Sequence, residues 1–185
     1  AFNVWVEGVH LNQGSQRADG SIGATAQRGG LLRVLVRANQ ENTQAPPVRV
    51  RLLHGATVLR EVTVPAPRVG VPVAPDLDVL TSTWNVVLSP DDVVPGMSVE
   101  AFVDPGATMV ENSTDDNRFP RGTGSAPLDV VALHPLRIIF IPIHATVQNR
   151  TGSITAANVE TFLTATRQWI PATSIITSVR APYTT

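Results

Sequence analysis

Ser98-Val-Glu-Ala-Phe-Val103 runs directly into Asp104-Pro-Gly-Ala-Thr-Met-Val-Glu111-Asn-Ser-Thr-Asp-Asp-Asn117-Arg-Phe-Pro120. The first six residues alternate apolar and polar, the two-residue period of a strand with one face buried. The next seventeen crowd turn formers and acids around a single apolar step, Met109-Val110. Turn residues and acids with one short apolar anchor describe a hairpin that closes a sheet. The pattern marks a secreted β-sandwich module rather than an active site.

Upstream, the same alternation recurs. Phe2 to Leu11 reads as a first strand, and Asn12 to Gly30 as a long polar loop with a short edge strand at Ser21-Ile22. Leu31 to Ala38 is the most apolar strand and is expected to be central. Val48 to His54 turns through Gly55-Ala56 into Thr57 to Val64, the clearest hairpin of the chain. Pro65, Pro67, Pro72 and Pro75 bar the next stretch from any central strand, because proline has no ladder donor. It reads as an extended crossing between two sheets. Thr83 to Leu88 is a strand whose Trp84 is placed in the core. Leu128 to Leu133 ends the series. Seven or eight antiparallel strands with frequent turns and no helix predict an immunoglobulin-like β-sandwich over residues 1–133, in a mainly β chain.

From residue 134 the pattern changes. Leu136 to Ile143 is a continuous apolar run, as in a strand buried on both faces. Thr155 is an N-cap for a helix reaching Trp169, with Val159, Phe162, Leu163 and Thr166 on one face and Pro171 as its stop. Ser174 to Val179 is a second strand. Residues 134–185 therefore predict a short β-α-β extension. It is too small to bury a core alone, and no closing element is expected after it. It reads either as the start of a truncated downstream domain or as a docking extension.

Composition removes several classes of chemistry. All 14 basic residues are Arg, and Lys is absent, so no Lys Schiff base or P-loop Lys is available. With no Cys, disulfides, thiol catalysis and thiolate metal sites are excluded. A net charge of −1 gives no electrostatic case for nucleic acid. No run approaches the ~18 apolar residues of a membrane helix.

Candidate site residues are few. Asp104, Glu111, Asp115 and Asp116, with Asn112 and Asn117, can supply oxygen ligands to Ca²⁺. Their spacing departs from the twelve-residue calcium loop, and a solvated hairpin loop is the competing reading. Beyond that Ca²⁺ option no cofactor is expected. His10, His54, His134 and His144 are scattered, and no H-E-x-x-H occurs. Gly122-Thr-Gly-Ser125 reads as a linker, and Asp91-Asp92 and Asp76-Leu-Asp78 as turn or capping acids. No catalytic residue is nominated. Asn112-Ser-Thr114 and Asn149-Arg-Thr151 match the glycosylation triplet. Arg33 and Arg37, with Arg49 and Arg51, sit at even spacing on strands expected to be neighbours. They form a candidate basic stripe for a partner's acids. Phe162 and Trp169 on the helix are the apolar interaction candidates.

The stretch Ser98 to Asp104-Pro, then Val110-Glu111-Asn and Asp116-Asn117-Arg-Phe-Pro, resembles the terminal hairpin of bacterial CARDB-type Ig-like domains. A longer set of residues looks like the N-terminal part of large secreted zinc metallopeptidase-like proteins of the mucinase-like class. It comprises Gln16 to Gly20, Leu31 to Val34, Ala38-Asn39, Ser82 to Val86, Val94 to Gly96, Phe140 to Ile143, Thr151-Gly, Thr155 to Asn158 and Arg180 to Thr185. That resemblance implies export, with residues 136–185 opening a downstream domain whose zinc motif lies beyond Thr185. It implies no catalysis within this chain.

Two functions follow as expectations. One is a non-catalytic binding or scaffolding module, periplasmic or extracellular, that docks a protein or a glycan. A version of it is a structural subunit on a larger membrane-bound assembly, such as an electron-transfer or photosynthetic complex. The other is the accessory N-terminal region of a secreted zinc metallopeptidase.

Overall fold

A computed structural model describes residues 1–17 and 20–185. Ala18 and Asp19, inside the quoted Gln16 to Gly20 stretch, lie outside the described residues. The chain divides into two compact units, Ala1–Ala132 and Leu133–Thr185, and each is described by itself.

The first unit is an immunoglobulin-like sandwich. Its strands in chain order are β1 (Val4–Asn12), β2 (Ala24–Thr25), β3 (Gly30–Ala38), β4 (Val48–His54), β5 (Thr57–Val64), β6 (Trp84–Leu88), β7 (Met97–Val103), β8 (Arg118–Phe119), β9 (Ala126–Pro127) and β10 (Val130–Val131). One sheet has the order β1-β3-β6, and the other β5-β4-β7-β8, with β9 also on β7. β3 is central, as its apolar run predicts. β4 and β5 form the expected hairpin, turning at Gly55 (φ +58°), a conformation that glycine adopts without Cβ strain. The proline-rich segment crosses from β5 in one sheet to β6 in the other, as expected. β7 and β8 pair antiparallel around the long acidic loop. The short strand expected at Ser21-Ile22 forms instead at Ala24–Thr25. It pairs in parallel with β10, the one parallel pair among the described residues of a body read as wholly antiparallel. Two single-turn 3₁₀ helices, Leu80–Ser82 and Pro90–Asp92, interrupt the connections.

Alternation explains the core. Leu32, Val34, Val36 and Ala38 of β3 face Val48, Val50 and Leu52 of β4 and Met97, Val99, Ala101 and Val103 of β7 within one buried cluster. Trp84 is buried there, and its indole N–H donates to the Pro46 carbonyl at 3.0 Å, which removes the polar cost of burying the ring. β1 shows why register matters. Val4 and Val6 point inward, yet Leu11 must too, and odd and even positions of a strand face opposite sides. A bulge between Val6 and Gly8 slips the register by one residue, so Leu11 reaches the core and His10 does not.

In the second unit, β11 (Leu136–Phe140), β12 (Ile143–Ala145), β13 (Arg150–Thr151), helix α1 (Val159–Trp169), β14 (Ile175–Val179) and β15 (Tyr183–Thr184) follow in order. β11 and β14 pair in parallel with α1 between them in sequence. This is the expected β-α-β. Three expectations are corrected. The run Leu136 to Ile143 is not one strand buried on both faces. It breaks at Ile141-Pro142, where proline ends the ladder, and alternate residues of β11 are exposed. The helix begins at Val159 after Asn158, while Thr155 lies in the preceding turn and its N–H donates to Asn158 Oδ1 at 2.7 Å. The C-terminal residues do supply a closing element, since Tyr183–Thr184 pairs in parallel with Ile143 and His144.

Candidate functional site

The β7–β8 loop is built as a latch. Asp104 opens it in the left-handed region (φ +48°), which a short polar side chain tolerates. Its Oδ1 accepts from the Thr108 hydroxyl at 2.7 Å and its Oδ2 from the Met109 N–H at 2.8 Å. The loop then reaches the start of β1, a strand of the opposite sheet. The Asn112 N–H donates to the Phe2 carbonyl at 2.8 Å, and the Ser113 N–H to Asn3 Oδ1 at 3.1 Å. Val4 N–H donates to Glu111 Oε2 at 3.3 Å, and Asn3 Nδ2 to Asp116 Oδ2 at 2.9 Å. Asn117 Nδ2 donates to Glu111 Oε1 at 2.6 Å. The carboxylates thus fasten one sheet to the other at this end of the sandwich.

Of the four acids nominated for Ca²⁺, Glu111 and Asp116 converge on Asn3-Val4. Asp104 is committed to its own turn, and Asp115 is exposed. Among the described residues no three His, Asp or Glu gather as a metal-holding group.

The proposed arginine stripe does not form. Arg33 and Arg37 lie on β3 of one sheet, while Arg49 and Arg51 lie on β4 of the other. The prediction failed because the chain crosses between sheets after β3 instead of pairing β3 with β4. Arg33 is buried. Its guanidinium donates to Thr83 Oγ1 at 2.9 Å and to the carbonyls of Leu77 and Val79, so it clamps the proline-rich crossing onto β3. Arg37 pairs with Glu7 at 3.1 Å and lies 5.8 Å from the Trp5 ring.

Arg49 and Arg51 belong instead to a platform on the outer face of the larger sheet. Arg49 and Arg118 lie over the Phe102 ring at 4.6 and 5.3 Å. Arg118 also pairs with Glu100 at 2.9 Å, while Arg51 bonds Glu61 and approaches Glu100 at 4.0 Å. Glu61 is held below its ordinary range, first by the hydrogen bond from Arg51. Reading the sequence missed Phe102, Glu100 and Arg118. Their signal was present in the outward positions Ser98, Glu100 and Phe102 of one alternating strand, but which strand would lie beside it was not.

A cleft of about 250 Å³ is lined by Val9, His10, Leu11, Ile22, Leu128 and Asp129, among others. The His10 imidazole is pushed below its ordinary pKa, first by burial and then by the nearby Arg33 charge, so it is held toward its neutral form. In the second unit, Phe162 is half exposed and Trp169 more so, whereas Val159 and Leu163 of the same helix are buried. Ile139, Ile141, Ile143, Ile176 and Tyr183 are also exposed. Among the described residues no helix is long and apolar enough to cross a membrane.

No family model matches the chain, and no curated protein does. Solved structures do. A CARDB domain from Pyrococcus furiosus, in complex with di-metal ions, is 18% identical. The match covers 72% of this chain and 94% of that one, with a TM-score of 0.38. A domain from Methanosarcina acetivorans, described as belonging to a cell surface protein, is 13% identical over 71% of this chain and 94% of its own, with a TM-score of 0.35. An engineered protein is 17% identical over 69% of this chain and 20% of its own, with a TM-score of 0.33. The CARDB-type resemblance read from Ser98 to Pro120 thus meets a CARDB domain among these structures, whereas the metallopeptidase kinship rests on the quoted residues alone. The immunoglobulin-like sandwich itself stands on the strand order above.

Proposed function

We propose that the chain is a non-catalytic extracytoplasmic binding or scaffolding module that docks a protein partner through its second unit. The observation that carries this reading is the open face of the β11–β14 pair, where Ile139 and Ile176 are 53% and 44% exposed. Parallel strands are otherwise found covered on both faces, and exposed apolar surface of this kind marks interaction sites. Phe162 and Trp169 add exposed aromatic surface on the helix, and aromatic residues are the commonest anchors of protein interfaces. The periplasmic or extracellular location belongs to the same proposal and rests on the resemblance of the closing hairpin. No feature of the fold favours the metallopeptidase accessory reading over it.

The test is affinity capture from an extract of the cells that carry the gene, comparing the full chain with an Ile139→Ser/Ile176→Ser variant. A partner retained by the first and lost by the second is expected. Identical capture by both, from a monomeric chain that binds no apolar dye, would sink the proposal.

A further inference from the structure

The edges of the sandwich are protected unequally. On the smaller sheet the closing loop caps β1, where Val6 N–H donates to the Asp116 carbonyl at 3.3 Å and Asn112 N–H to the Phe2 carbonyl. The Val87 carbonyl of β6 accepts from Arg60 Nη1 at 3.1 Å. On the larger sheet, the edge beyond β7 is divided between β8 and β9, each two residues long. The opposite edge is β5, which runs for eight residues, Thr57-Val-Leu-Arg-Glu-Val-Thr-Val64, without Pro or Gly. It pairs with β4 alone, and among the described residues no hydrogen bond reaches its outer backbone. A bare edge of that kind is a template for another strand. Charge does not shield it, because Glu61, the acid on its outer face, is already paired with Arg51.

The ladder decides which β5 groups are free. In antiparallel pairing, successive residues turn their backbone groups alternately toward one neighbour and the other. Asp104 N–H donates to the Pro47 carbonyl, one step beyond the Val48–Val103 pair, whereas Val103 N–H turns away from β4 to the Asn117 carbonyl. Val48, Val50 and Leu52 therefore direct their groups toward β5, where they face Val64, Val62 and Arg60. Glu61 and Thr63 are left with N–H and C=O pointing outward, and both residues are exposed. The bulge at Leu59 and the following Pro65 bound this regular stretch.

We propose that two copies of this chain join through β5, antiparallel about a two-fold axis at Val62. Glu61 of each copy then exchanges both backbone bonds with Thr63 of the other, and Val62 meets Val62 of the second copy. Other centres are worse. A centre at Glu61 sets two carboxylates opposite each other, and one at Arg60 two guanidiniums. Centres at Thr63 or Val64 set an edge residue against Pro65, which has no N–H to give. Val62 and Val64 pack against the sandwich core, so the seam is apolar on its core side. It is also short, which makes the dimer weak and dependent on concentration.

The experiment uses the full chain in sedimentation velocity from about 1 µM to 1 mM, the range of weak association, with amide hydrogen exchange at both ends. A dimer should grow with concentration, and exchange should slow at Glu61 and Thr63. Thr63→Pro removes an outward donor that the β4–β5 ladder does not use, so it should keep the wild-type urea midpoint and lose the dimer. Register is tested by cross-linking, since the chain has no Cys of its own. Val62→Cys places the sulfur-bearing residues opposite each other, with Cα atoms about 4.5 Å apart, inside the range a disulfide spans. Thr63→Cys places them on a diagonal at roughly 7–8 Å, beyond it. With oxidised glutathione, Val62→Cys should link severalfold faster. A monomer at every concentration, a dimer whose protection lies outside β5, or equal linking by both variants would overturn the proposal. So would a monomer whose Glu61 and Thr63 amides are protected only when cell extract is added, which would assign the edge to a foreign strand.

Discussion

The two units contain similarly apolar strands, yet they bury them very differently. In the sandwich, the inward residues of β3, β4 and β7 are fully buried, because each sheet is the other's cover. In the second unit, the alternate residues of β11 and β14 are exposed, and the buried apolar side chains include only Pro142 and two helix residues, Val159 and Leu163, among the described residues. Alternation in a strand thus specifies which residues share a face. Whether that face is dry depends on a second layer, and one helix covers only one side of a parallel pair.

Substitutions can break or sharpen that contrast. Trp84→Ala should have the largest effect, about 3–5 kcal/mol off the sandwich, because it empties the core and orphans the Pro46 carbonyl. Urea unfolding followed by the β-sheet signal in far-UV circular dichroism would report it. Leu163→Ala should cost about 2–3 kcal/mol but loosen only the second unit. Hydrogen exchange should speed up in α1 and β14 while β3 and β7 keep their protection. If β3 exchanged faster as well, the division into two units would not describe cooperativity. Glu111→Ala strips acceptors from Val4 N–H and Asn117 Nδ2 and should cost about 1–3 kcal/mol of sandwich stability, measured as a shift in urea midpoint. Trp169→Ser should change stability by less than about 0.5 kcal/mol, since the ring is 71% exposed. A larger loss would show that the helix face is not free.

The smallest effect concerns acid. Burial pushes the Asp92 carboxyl up. The backbone and hydroxyl bonds from Ser89, then Arg60, outweigh it and leave the folded value below the ordinary one. A depressed carboxylate stabilises the fold above its unfolded pKa of about 3.9 and loses that contribution as pH falls through the folded value. Acid titration of Asp92→Asn should therefore show a shallower loss of stability below about pH 4 than the wild type. Parallel curves would remove Asp92 from the acid response.

Much of the sandwich was legible from spacing. The β4–β5 hairpin, the proline-rich crossing, Trp84 in the core and the closing hairpin from Ser98 to Phe119 all follow from period-two alternation and turn chemistry. These are local rules, so a single chain displays them. The candidate sites were less legible. The acids of the closing loop were visible as acids, but their partners Asn3 and Val4 lie about a hundred residues upstream. The arginines illustrate the same limit. Even spacing placed Arg33, Arg37, Arg49 and Arg51 on outward positions of two strands, and only sheet assignment separated them.

Length, alternation, turn residues and the absence of Cys and Lys already settle a β-sandwich with a β-α-β extension and exclude thiol and lysine chemistry, because each is a property of residue type and nearest neighbours. Folding in three dimensions decides that Arg33 is buried while Arg49 stacks on Phe102. It also draws Glu111, Asp116 and Asn117 together at β1 and leaves Ile139 and Ile176 bare. These outcomes depend on which distant segments pack together, and no local pattern encodes that choice.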